Sequence, residues 1–228
     1  MIEIVSMIQI PALDIFSEEP GNLTATVQLL LLLTVLSLAP SILILMTCFT
    51  RIVIVLSFVR TGLATQQMPP NQVIVGLALF ITFFIMAPVF SEVNEMALQP
   101  LFEGEMSQEE AFDAAALPIK EFMAKHTREK DLALFMGYAG LPRPETLDDI
   151  PLTAMVPAFA ISELKTAFQI GFMIFVPFLV IDMVVASVLM SMGMMMLPPV
   201  MIALPFKILL FVMVDGWHLV VRSLLLSF

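Results

Sequence analysis

Residues 166–192 read TAFQIGFMIFVPFLVIDMVVASVLMSM, with Asp182 as their one charge. A bilayer core is crossed by about 20 predominantly apolar residues in helix. Backbone groups that meet lipid must pair within their own segment. The stretch therefore predicts a membrane helix. Gly193 follows it as a natural helix stop. Next come Met194, Met195, Met196 and Leu197, and then Pro198, which suits the first turn of a new helix running to Val214.

Working towards the N-terminus, charges mark the other segments. No charge falls between Pro20 and Thr50. Leu23 to Phe49 is read as a first span, with Pro40 as a kink or break. Arg51 and Arg60 occupy the connection that follows. Gln72 to Val89 is a second uncharged span. The Pro69-Pro70-Asn71 turn before it offers Asn71 as N-cap.

Residues 92–165 differ in kind. They carry 14 acidic and 6 basic residues. Ser107 and Glu110 fit a capping box, which predicts a helix from about residue 108, interrupted by Pro118. Residues 140–151 read as a loop, and a helix restarts between Pro157 and Ala167 and runs into the third span. The expected fold is all-α: a membrane protein of apolar helical hairpins with a polar helical insertion. Its parts are an N-terminal segment with the first hairpin (1–91), the insertion (92–165), and a C-terminal hairpin with a Met-rich loop (166–228).

Composition agrees. Of 228 residues, 60% are hydrophobic and 13% charged, whereas soluble domains are nearer half apolar and a quarter charged. A net charge of −10 without a basic run gives nucleic acid no electrostatic foothold. Cys48 is the single cysteine, so no intrachain disulfide or multi-Cys metal site is available. His126 and His218 lie far apart and read as surface or interfacial residues. No dinucleotide fingerprint, phosphate loop, zinc-protease or nucleophile-elbow motif is present. Nothing points to catalysis, a metal or a cofactor. Met1-Ile2-Glu3 lacks the basic start of a secretory signal, and none is read there.

Basic residues near span ends favour the cytoplasm. Arg51 and Arg60 thus place the first connection on the cytoplasmic side and the insertion on the periplasmic side. Four simple spans would put the third-to-fourth turn in the cytoplasm and the C-terminus outside, against which Arg222 argues.

The C-terminal hairpin carries the candidate site. Met is unbranched and polarizable and conforms to changing surfaces. The Met run is either core filling or a conformable surface at a tight turn. The midpoint between Asp182 and Lys207 falls inside it, so a hairpin sets both charges at similar depth. Charges in apolar helices pair or face a polar path. A structural ion pair and a subunit contact are both open. Ser187 and Ser191 form a small-xxx-small pair that admits another helix.

With these residues in view the chain closely resembles the FliP family of type III secretion export gates, over nearly its whole length from about residue 25. The specific pieces are Thr50 to Arg60 (TRIVIVLSFVR) and Gln66 to Val73 (QQMPPNQV). Pro157-Ala158-Phe159 and Ser162 to Lys165 add to them. So do the Gly-Met-Met-Met run, Leu204 to Lys207, and Val214 to Trp217. The resemblance implies a subunit of the bacterial inner membrane and flagellar basal body. It implies assembly with further copies of itself, FliQ and FliR into a pentamer-like helical complex, beside other export-apparatus membrane proteins. Unfolded flagellar subunits would pass through it, with Met194, Met195 and Met196 as a gasket hinged by Gly193 and Pro198. It also implies bent hairpins in an assembly raised above the membrane plane. Two other readings stay open at this point: a small-solute or ion transporter, for which no convincing inverted repeat is found, and a purely structural assembly subunit.

Overall fold

The computed structural model describes residues 22–65, 68–144, 146–194 and 196–228. Among them the regular structure is entirely helical: α1 (Asn22–Met46), α2 (Phe49–Gly62), α3 (Asn71–Val93), α4 (Gln99–Glu103), α5 (Gln108–His126), α6 (Glu129–Tyr138), α7 (Leu152–Ser191), α8 (Pro199–Met213) and α9 (Gly216–Leu225). A π-helical turn, Asn94–Leu98, joins α3 to α4. The chain divides into two compact units, Met1–Leu43 and Ile44–Phe228.

In the first unit α1 presents Leu30, Leu33, Leu36 and Leu38 outward. The hydroxyls of Thr34 and Ser37 donate to the carbonyls of Leu30 and Thr34, both at 2.8 Å. These two hydroxyls are thus answered from within the helix, as lipid contact requires. Pro40 lies inside α1 without breaking it. The break expected there falls instead at Thr47-Cys48, both buried, where Thr50 Oγ1 donates to the Ile44 carbonyl at 2.7 Å and spans the interruption.

The second unit is organised by α2, which was expected to be a connection. Ile52, Val55, Leu56 and Val59 are buried along one face of it. Their spacing of three and four residues is that of a helix facing a core. That core is largely α7. Arg51 meets Glu163, Phe58 lies edge-on to Phe168 with centroids 5.5 Å apart, and a Cβ on Gly62 would come 2.6 Å from Phe178. Partner numbers rise together, so α2 and α7 run parallel. The glycines let the rings in: Gly171 takes Phe58 and Gly62 takes Phe178. From the loop after α2, α3 returns antiparallel, bringing Thr82 back to Cys48. Its first helical residue is Asn71, preceded by Pro70 at the N-cap, one position earlier than expected.

α5 starts with the expected capping box. Glu110 N donates to Ser107 Oγ at 3.3 Å, and Ser107 N donates to Glu110 Oε2 at 2.9 Å. These bonds hold the Glu110 carboxyl below its usual range, the Ser107 backbone contributing most. Pro118 is buried within the helix and does not interrupt it. Phe122 of α5 packs on Phe159 of α7 at 6.0 Å. α7 is one helix of 40 residues, about 60 Å long at 1.5 Å per residue, so the restart expected after residue 157 and the third span are continuous.

By length and composition α7 and the α3–α4 run (Asn71–Glu103) can each cross a bilayer. Two bent pairs, one ending in α2 and the other α8 with α9, raise the number to as many as four. Only 11% of the most apolar window of α7 is buried within the chain. α9 was not anticipated. It leaves α8 at 62° through Asp215, whose φ of 51° is left-handed, and it turns Val220 and Leu224 inward.

Candidate gate loop and its supporting charges

α7 ends in a backbone lock. Met194 N donates to the Leu189 carbonyl at 3.0 Å and Gly193 N to the Met190 carbonyl at 3.1 Å. This paired pattern needs a left-handed residue at the reversal, and Gly193 supplies it with φ 74°. Pro198 is the N-cap of α8 and Pro199 takes the first turn, one residue later than expected. The turn between them leaves Met194 46% and Met196 98% exposed. Met195 lies outside the described residues. Leu189, just before the stop, is buried, whereas Met190, Met192 and Met201 around the loop are exposed.

Below the loop Lys207 Nζ donates to Asp182 Oδ2 at 2.6 Å. The hairpin brings these two charges together across α7 and α8. Lys207 is 2% exposed and the Asp182 side chain 29%. Asp182 Oδ1 is buried without a hydrogen-bond partner among the described residues. Ser187 and Ser191 turn their hydroxyls onto the carbonyls of Met183 and Val188, each at 2.8 Å.

Arg51 is the most connected charge. Its Nε donates to Glu163 Oε2 at 2.9 Å and its Nη2 to Glu163 Oε1, a two-pronged pair with Arg51 3% and Glu163 0% exposed. Nη1 donates to the Ser227 carbonyl at 2.7 Å and to its hydroxyl at 3.1 Å. The guanidinium carbon sits 3.8 Å from the centroid of the Phe228 ring, in cation–π range. The pair sets Arg51 of α2 level with Glu163, in the part of the 92–165 stretch that lies within α7. Arg60 is nine positions on, about 13 Å further along α2, and half-buried. It is not part of this pair.

Sequence reasoning passed over Glu163, Ser227 and Phe228, as well as a second polar knot. Ser162 Oγ donates to Asp131 Oδ2 at 2.7 Å and accepts from Arg128 N at 3.1 Å, while Arg128 Nη2 meets Asp131 Oδ2 at 2.5 Å. The Ser162 hydroxyl, more than the arginine, holds the Asp131 carboxyl below its ordinary value. His126 sits between Phe122 and Phe228, with centroids at 4.9 and 5.1 Å. Burial, then the Arg51 charge, lowers its pKa to about 4. In the sequence Glu163 stood out within the Ser162–Lys165 stretch that carries the family resemblance, with no role assigned to it.

The model of the FliP family matches residues 32–224. A flagellar biosynthetic protein FliP of Bacillus subtilis is 76% identical over 217 residues, covering 95% of this chain and 98% of the relative. Its namesake in Aquifex aeolicus is 51% identical over 222 residues, covering 96% and 92%. That of Treponema pallidum is 48% identical over 225 residues, covering 96% and 83%. With a family match across most of its length and relatives this similar over nearly all of theirs, the chain belongs to the FliP family.

Proposed function

We propose that this chain is a core subunit of the flagellar protein export gate in the bacterial inner membrane. Copies of its α7–α8 hairpin would surround a path for unfolded flagellar subunits, closed by Met194, Met195 and Met196. One observation carries the reading. The backbone lock at Gly193 and the proline start of α8 bracket an uncharged turn in which Met194 and Met196 are exposed rather than packed into their own chain. A core-filling run would be buried.

The uncovered flanks of α7 and α8 support assembly with further copies and with FliQ and FliR, since a helix apolar all round needs lipid or other helices about it. Ser187 and Ser191 satisfy their own hydroxyls and leave a low ridge for a neighbouring helix. The unpartnered Asp182 Oδ1 suits a donor from an adjacent subunit. The protein is not an enzyme: it makes and breaks no bond, and the energy for export comes from other components. Thioether chains meeting across an axis part for a polypeptide and close again on ions.

Ion permeability, normalised to assembled complex, tests this. Changing all three Met to Ala shortens the seal, and the complex should leak ions while still secreting. Changing them to Leu keeps the bulk but stiffens it, and the complex should seal better than Ala and export less. An assembled triple-Ala complex as tight as the wild type would exclude the gate role.

A further inference from the structure

We propose that Met194 and Met196 are sites of thioether oxidation by peroxide, and that their oxidation unseals the channel. This rests on the gate reading above. Methionine is the one apolar side chain that a mild oxidant converts into a polar group. The structure sorts this chain's methionines by access. Met86, Met123, Met136 and Met155 are buried in the helix core. Met196 is almost fully exposed and Met194 about half so. No charged residue lies between Asp182 and Lys207 in the sequence. The turn therefore relies on apolar side chains alone to exclude water and ions.

The chemistry balances with hydrogen peroxide as oxidant. The sulfur lone pair attacks one peroxide oxygen and the O–O bond breaks. A sulfur–oxygen bond forms, and the departing hydroxide takes the proton of the transferred oxygen to leave as water. Sulfur is oxidised by two electrons and peroxide is reduced by two. The sulfoxide that results is a strong hydrogen-bond acceptor in place of a soft apolar atom. Several such groups around one axis would hydrate the constriction they had kept dry. The turn itself would stand, because backbone bonds at Gly193 hold it.

Assembled complex in lipid vesicles is treated with hydrogen peroxide. Peptide masses and potassium efflux are then followed on the same sample. We expect a gain of about 16 Da on Met194 and Met196, no modification of Met123 and Met155, and an efflux rate rising towards that of the untreated triple-Ala complex. The triple-Leu complex should remain tight after the same treatment, although Met190, Met192, Met201 and the exposed Met68 are still present to be oxidised. The proposal is overturned if the loop sulfoxides form without a rise in efflux. It is equally overturned if the buried methionines oxidise as readily as the loop, or if the triple-Leu complex leaks after peroxide. Leakage of the untreated triple-Ala complex tests the gate reading by itself, so the two ideas fail separately.

Discussion

Replacing Arg51 with Ala should be among the most damaging single changes in the chain. Glu163 has no solvent exposure. Both of its oxygens accept from Arg51, so the substitution strands a carboxylate between α2 and α7 with no partner. Breaking a buried pair from one side costs about 3–5 kcal/mol. At 1.36 kcal/mol per tenfold, that is roughly a 150- to 5,000-fold shift towards forms in which the two helices part. The Ser227 and Phe228 contacts would go as well. Arg51→Lys keeps the charge but loses the two-pronged geometry and should fall between. The informative variant is the double change Arg51→Met, Glu163→Leu. Exchanging a buried pair for apolar groups of similar size is often neutral or stabilising, so it should recover most of what Arg51→Ala loses. The assay is resistance to limited proteolysis and to denaturant in detergent, together with the yield of assembled complex. If Arg51→Ala matched the wild type in both, or if the double variant were no better than the single, the pair would not be the lock between α2 and α7.

The Asp182–Lys207 pair should respond unequally. Asp182→Ala strands a nearly buried ammonium, whereas Lys207→Ala leaves a carboxylate that keeps some solvent; assembly should therefore fall further for Asp182→Ala, the charge swap should partly restore it, and normal assembly of both single variants would count against a structural role. Gly171→Ala drives a methyl group into the Phe58 ring and should cost about 1–3 kcal/mol, as overpacking does, measured as a lowered denaturation midpoint in detergent; Phe58→Leu should relieve part of it. Cysteines at Glu109 and Asp148 on a Cys48→Ala background should react with an impermeant thiol reagent in intact cells if the insertion is periplasmic, and labelling only after the cytoplasm is opened would place it on the other side.

What the sequence made legible follows from range. Features encoded within a few residues were readable: the Ser107–Glu110 box, the Gly193 stop, and the apolar runs from Gln72 to Val89, without charge, and from Thr166 to Met192, with Asp182 alone. α2 was hidden because Arg51 and Arg60 resemble loop charges in an otherwise apolar profile. The spacing of Ile52, Val55, Leu56 and Val59 is the local signal of its helix. Glu163 was hidden for another reason. Its partner is 112 positions away, and no local pattern distinguishes a buried glutamate awaiting an arginine from one on a solvated face. Asp182 and Lys207 were easier because one tight turn relates them. The run of the restarted helix into the third span was legible too; only its start was misplaced, because Pro157, like Pro177, lies inside α7, which begins at Leu152.

The turn at residues 192–198 has a consequence for how such channels diversify. Its shape is written in main-chain hydrogen bonds, one left-handed glycine and two prolines, and none of these depends on which side chains occupy positions 194 to 196. On the gate reading proposed above, aperture chemistry and hairpin geometry are therefore inherited separately. A lineage, or an engineer, can exchange the tip residues for bulkier, stiffer or ionisable ones without disturbing the scaffold, and so tune conductance and cargo tolerance one position at a time.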